Sequence, residues 1–253
     1  MQALLGPVLD ALGAGFLQIM GLIGLNTDLM QRYGLRFLGG VWVTIELVVL
    51  SVGIGMLLAW PLAIARVEGG KVLSRLAFGY SYFFRGTPLL AQTFLVYYGA
   101  GQFREELTAL GLWWFFREAF YCAVLTFTLN TAAYQSEILR GAIQTLPAGQ
   151  MEAAKSLGLS KLKAYWTVIM PQAAGIGLRP LGNELILMIK SSAIASVITV
   201  YDLMGVTRLA FSRSYDMEVY LWAAVLYLMM VEIVRRVWNV LERRLNRHLL
   251  VSR

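Results

Sequence analysis

Apolar residues fall in blocks of roughly the length needed to cross a bilayer, about 20 residues. The charged residues collect between the blocks. Residues 38–65 form the first clear block, and Glu46 is its only charge. The next, 72–101, is interrupted by Arg85-Gly86-Thr87-Pro88. Proline suits the first turn of a helix, where its missing N–H costs nothing. The pattern therefore predicts an interfacial segment over 72–84 and a span beginning near Pro88. A third span is predicted over 120–139, with Thr126, Asn130 and Tyr134 on one face at four-residue spacing. The fourth, 175–200, holds Arg179, Asn183, Glu184 and Lys190. Such residues must face protein or a water-filled path, not lipid. The fifth is predicted over 217–234 and runs into a basic tail. Residues 11–27 are apolar but carry four glycines, and no Lys or Arg precedes them. The stretch therefore lacks the basic n-region of a signal peptide. The segment reads as interfacial or re-entrant, with a sixth span as the other reading.

Composition agrees with this pattern. Of 253 residues, 58% are hydrophobic and 15% charged, and mean hydropathy is +0.63. Soluble domains carry about 25% charged residues, so a soluble domain and a disordered chain are both excluded. The net charge of +7 points to cytoplasmic loops rather than to nucleic acid. Fourteen Lys and Arg lie on one set of connections, around 66–85, 140–163 and 235–253. Six lie on the other set, at Arg32, Arg36, Arg104, Arg117, Arg208 and Arg213. Basic loops stay inside. The expected topology is five spans with the N-terminus periplasmic and the C-terminus cytoplasmic.

Cys122 is the only cysteine and His248 the only histidine. The chain thus has no internal disulfide, no Cys- or His-rich metal site and no Ser/His/Asp constellation. Gly69-Gly70-Lys71 is followed by Val72 and is not a phosphate-binding loop. No catalytic residue, metal or cofactor is expected.

The connection between the third and fourth spans, 140–171, is too long to be a plain linker. Leu146-Pro147-Ala148-Gly149-Gln150 reads as a turn and Met151–Leu157 as a short helix. Gly158 supplies a stop. Ser160 caps a second helix, which is expected to end at a break at Pro171.

Glu152-Ala153-Ala154, Gly158 and Val168-Ile169-Met170-Pro171 resemble the cytoplasmic signature of bacterial ABC importer permeases. That signature is Glu-Ala-Ala, three residues, Gly, nine residues, then Ile-x-Leu-Pro; Val and Met are conservative departures. Arg85-Gly86-Thr87-Pro88-Leu89, Leu129 through Tyr134, Glu137 through Ile143, Asn183-Glu184 and Lys190-Ser191-Ser192 are similar to the polar amino acid branch. Within that branch the chain is most similar to M-type subunits of histidine, lysine/arginine/ornithine and opine uptake systems. Many such relatives have an acid and Thr after the position of Lys190, where this chain has Ser191-Ser192.

The resemblance implies an all-α polytopic fold of the ABC type I importer kind. Residues 1–34 would form an N-terminal periplasmic or interfacial segment, and 35–253 the transmembrane domain. It implies a bacterial inner-membrane permease subunit that is not itself an enzyme. Its implied partners are a dimer of cytoplasmic ABC ATPases, which bind the ATP, a second permease subunit and a periplasmic binding protein. The second subunit is expected to differ from this chain, with a homodimer as the alternative. The implied cargo is a polar amino acid, basic amino acids or an opine foremost. A self-sufficient secondary transporter is the competing class; the short chain and the lack of an inverted repeat count against it.

The short helix around Glu152 would be the coupling helix, with Ala148, Gly149, Glu152, Ala153, Ala154 and Gly158 meeting the ATPase. Asn183, Leu187, Lys190 and Ser191 share a helix face by spacing. With Glu184 they are expected to line the path. The other reading is glue between helices, with Lys190 paired to Glu137 or Glu46. Arg85 has two readings as well, an interfacial anchor or the partner of a carboxylate on the path. Asn130 and Tyr134 are expected to bond between helices.

Overall fold

The computed structural model describes residues 27–245 and the single residue 21. Residues 11–20 and 22–26, His248 and the last part of the basic tail lie outside the described residues. Among the described residues every regular element is a helix.

The first helix, α1, is Thr27–Glu68, 42 residues long. It reaches about 63 Å at 1.5 Å per residue, twice the bilayer core. It packs along α6, Ala119–Thr145. One stripe of α1 holds Ser51, Gly55, Ala59 and Ala63, at four-residue spacing. Ser51, Ala59 and Ala63 are completely buried. A Cβ on Gly55 would lie 2.6 Å from Thr131 Cγ2. Small residues bring two backbones together where lipid offers no hydrophobic drive.

The second apolar block forms two helices, α2 at Lys71–Gly86 and α3 at Leu89–Gln102. The expectation that 72–84 lies along the interface is not met. The Tyr80 hydroxyl donates to Leu129 O (2.6 Å), and Ser81 Oγ lies 3.3 Å from Ser136 Oγ. Asn130 Nδ2 donates to Phe84 O (2.9 Å). All three contacts fall on the middle of α6, so α2 and α3 are two halves of one broken span. The interruption at Arg85–Pro88 suggested an interface because a proline start does not say whether the preceding segment packs against another helix.

Two short helices, α4 (Arg104–Ala109) and α5 (Trp113–Phe116), lead into α6. After α6 come α7 (Gly149–Ser156) and α8 (Lys161–Ala164). A wide turn at Tyr165–Ile169 joins α8 to α9, Met170–Ser191. The expected break at Pro171 is therefore absent. Met170 N–H bonds five residues back to Tyr165 O, so the extra residue in this π-type turn falls just before the proline. Pro171 then sits in the first turn of α9, where it lacks no needed donor.

A 3-10 stretch, Ser192–Ile198, and α10, Leu203–Ser214, precede the last helix, α11, Glu218–Leu245. The sequence pattern did not foresee α10. Asp202 caps it by accepting from Gly205 N–H (2.9 Å). Leu203 N–H donates to Thr44 Oγ1 on α1 (3.1 Å). The runs 28–68 and 161–198 are long and apolar enough to cross a membrane by length and composition.

The core divides along the molecule. One cluster gathers Phe37, Phe127, Leu203 and Trp222. The other gathers Ala63, Ile143, Tyr165 and Ile169 around the root of the 146–171 segment.

Candidate coupling segment and intramembrane polar cluster

The 146–171 segment folds as a tight helical hairpin. Gly158 closes α7 with φ +76°, a left-handed conformation that glycine adopts without penalty. Gly158 N–H bonds to Lys155 O (2.9 Å) and Leu159 N–H to Ala154 O (3.1 Å), which is the Schellman arrangement. Ser160 Oγ accepts from Lys163 N–H (3.4 Å) and starts α8, as its position predicts.

The six residues singled out from the sequence do not share one face. Ala148, Gly149, Glu152, Ala153 and Gly158 are exposed, while Ala154 is buried. Ala154 therefore seats α7 on the protein, and the others leave a small-residue surface with one carboxylate. Leu157, Leu162 and Trp166 stand exposed beside it.

The hairpin is tied to the spans. Glu68, the last residue of α1, pairs with Lys161 Nζ (2.7 Å) and accepts from the Tyr165 hydroxyl (2.7 Å). The buried Ile143 on α6 and Ile169 and Ala173 at the start of α9 pack in the same cluster. A push on α7 thus reaches three spans through packed side chains.

The second site lies on α6 around Glu137. Arg140 Nε bonds to its carboxylate at 2.9 Å. Arg66 from α1 lies 3.6 Å away and Arg85 from α2 lies 3.9 Å away. Three guanidinium groups around one half-buried carboxylate leave net positive charge. The Arg85 guanidinium also sits 5.4 Å from the centre of the Tyr134 ring, within cation–π range. Arg85 thus stands beside the Glu137 carboxylate while its side chain stays 44% exposed, a placement that fits both the carboxylate-partner and the anchor reading. The convergence of Arg66 and Arg140 was missed. Only the Glu137/Arg140 spacing of three gave a local sign of it.

Asn183, Leu187 and Lys190 are exposed on one flank of α9, and Ser191 is half-buried at its end. Glu184 is not with them. It is buried and accepts from Thr131 Oγ1 on α6 (3.0 Å). Among the described residues no ion pair joins Lys190 to Glu46 or Glu137, and Glu137 is already occupied by arginines. Arg179 finds Glu242 on α11 at 3.1 Å. Asn130 bonds between helices, as expected. The Tyr134 hydroxyl makes a longer contact to Arg85 O, 3.5 Å.

A bundle of long apolar helices, one of them broken, with a helical hairpin mounted on three of them, is the architecture of a polytopic membrane protein. The family model described as binding-protein-dependent transport system inner membrane component matches residues 51–247. The nopaline transport system permease protein NocM of Agrobacterium fabrum is 41% identical over 215 residues, 85% of this chain and 89% of that protein. The histidine/lysine/arginine/ornithine permease HisM of Escherichia coli K12 is 39% identical over 221 residues, 87% of this chain and 92% of that protein. A crystal structure of an amino acid ABC transporter with histidines superposes with TM-score 0.72 at 36% identity, covering 85% of this chain and 96% of that one. An inward-facing MetNI methionine transporter has the same fold, with TM-score 0.72 at 17% identity, covering 85% and 98%. The chain belongs to the inner-membrane permease family of binding-protein-dependent ABC importers, and its fold is that of the type I importers.

Proposed function

We propose that this permease imports cationic amino acids or opines. It would work with a second permease subunit, two cytoplasmic ATPases and a periplasmic binding protein. Its hairpin would receive the ATPase stroke. The observation that carries this reading is the exposed Glu152 face of a hairpin bonded through Glu68, Lys161 and Tyr165 to the end of α1. Glu152 is free to accept charge-assisted hydrogen bonds. Ala148, Gly149 and Ala153 let a partner approach closely, Gly158 sets the reversal, and Ala154 seats the helix. ATPase closure then tilts α1, α6 and α9 together, since packed helices move as rigid bodies.

The cargo class rests on the names of the relatives and on charged groups inside the bundle. Arg85 and Tyr134, with Asn183, Lys190 and Ser191 and the apolar Leu187 among them, form the lining offered to the cargo. Glu184 serves the lining from behind, by locking α9 to α6 through Thr131. The carboxylate of an amino acid suits Arg85 or Lys190. The cationic end suits an aromatic face such as that of Tyr134.

Reconstitution tests the assignment. In proteoliposomes holding the whole complex, loaded binding protein should stimulate ATP hydrolysis and uptake together. Glu152→Lys should leave the complex assembled and abolish the stimulation. Uptake by this chain alone, driven by an ion gradient, would overturn the reading. For the path, Lys190→Met should raise KM for uptake; intact rate and selectivity in both Lys190→Met and Arg85→Ala would remove these residues from it.

A further inference from the structure

The break between α2 and α3 leaves backbone carbonyls without helical partners in the middle of the bundle, where each unmet group is costly. Two buried carboxamides take them up. Gln92 Nε2 reaches Phe84 O (2.9 Å), Thr87 O (3.1 Å) and Thr87 Oγ1 (2.7 Å). Asn130 Nδ2, from α6, donates to the same Phe84 O (2.9 Å) and to Gln92 Oε1 (3.1 Å). Both side chains are almost fully buried, at 5% and 6% exposure. The clamped carbonyl belongs to the residue immediately before Arg85.

We propose that Asn130 and Gln92 are positioning residues: their side chains clamp the broken backbone at Phe84–Thr87 and so fix the Arg85 guanidinium between Tyr134 and Glu137. Among the described residues the other contact from α6 to the break is the Tyr134 hydroxyl on Arg85 O, long for a hydrogen bond at 3.5 Å. Thr87 Oγ1 donates back to Phe83 O (2.8 Å), which tightens the end of α2 but does not tie it to α6. Asn130 supplies that tie. An uncharged amide fits the task, because it donates to the carbonyl and accepts nothing from Arg85, whose charge stays free for other partners. The clamp concerns how the path is built, and its importance for transport rests on the reading that Arg85 lines the path.

The test separates the two. In the reconstituted complex, with Cys122→Ala as background, Arg85→Cys is reacted with a positively charged methanethiosulfonate. Adding Asn130→Ala or Gln92→Ala should shift the reaction rate about three- to tenfold, the range that losing one buried hydrogen bond allows. Ser81→Ala, which removes a contact between the same two helices away from the break, should not shift it. Equal shifts in all three, or none in Asn130→Ala and Gln92→Ala, overturn the clamp. If Asn130→Ala does not assemble, Asn130→Leu, of similar size and without donors, takes its place with the same expectation. With Arg85 intact, Asn130→Ala should raise KM for uptake more than it lowers maximal rate, and should add nothing in Arg85→Ala. Shifted reaction rates with an unaltered KM in Arg85→Ala would keep the clamp and discard the path role of Arg85.

Discussion

A carboxylate in a spanning helix must be satisfied from another helix, and for Glu184 the donor is Thr131 on α6. Thr131 is itself completely buried, so water does not replace it when it is lost. Thr131→Val keeps the shape of the side chain and removes the donor. The expected cost is about 1–3 kcal/mol, the penalty for a buried polar group left unpaired. The measurement is the unfolding midpoint of the purified protein in detergent, and an unchanged midpoint would show that Glu184 has another partner. At this scale the sequence was partly readable. The charge at Glu184 marked a residue turned away from lipid. Its separation from Asn183 and Lys190 was not visible, because helical spacing alone does not say which flank meets α6. The three arginines around Glu137 were hidden for a related reason: Arg66 and Arg85 come from other helices, far off in the chain.

Two prolines at the level of the elements show how a local signal divides. Pro88 marks a true break, because extended backbone at Thr87 and Pro88 precedes α3 and buried amides answer the freed carbonyls. Pro171 marks none, because the wide turn at Tyr165–Ile169 absorbs it. Sequence pattern sees the proline and not the compensation. The hairpin between them was legible almost residue by residue, since capping by Gly158 and Ser160 is local chemistry. Its attachment was not, since Glu68 lies far from Lys161 in the chain. Two outcomes follow from the hairpin's geometry. Gly158→Ala forces a Cβ into the left-handed region at a cost of roughly 1–2 kcal/mol, so binding of the purified ATPase should weaken while the spans remain folded; circular dichroism and co-purification read the two separately. Glu68→Gln keeps the Tyr165 contact but loses the ion pair with Lys161. It should lower the cargo moved per ATP without lowering ATPase turnover, a ratio measured directly in proteoliposomes.

Across the whole molecule, charge and packing point along the same axis. The cluster around Ala63, Ile143 and Tyr165 sits at the end that carries the hairpin. The same end carries Lys71, Arg75, Arg140, Lys155, Lys161 and Lys163. The opposite cluster, around Phe37, Phe127 and Leu203, carries α4, α5 and α10, with Trp114 edge to face on Phe115 and on Tyr121, and Phe115 stacked on Tyr121. Trp and Tyr at that level suit a membrane–water boundary. Basic loops resist translocation, so the proposed orientation puts the hairpin end in the cytoplasm and the α4 end in the periplasm. This proposal rests on counting Lys and Arg per connection, not on side-chain contacts. Exposed single cysteines on the two ends test it: Glu105→Cys and Lys155→Cys, each with Cys122→Ala. A membrane-impermeant maleimide added to intact spheroplasts should label position 105 and leave position 155 unlabelled until the membrane is opened. The reverse pattern would invert the topology. It would put Glu152 on the side without ATP, and a permease of this family could not then be driven through its hairpin.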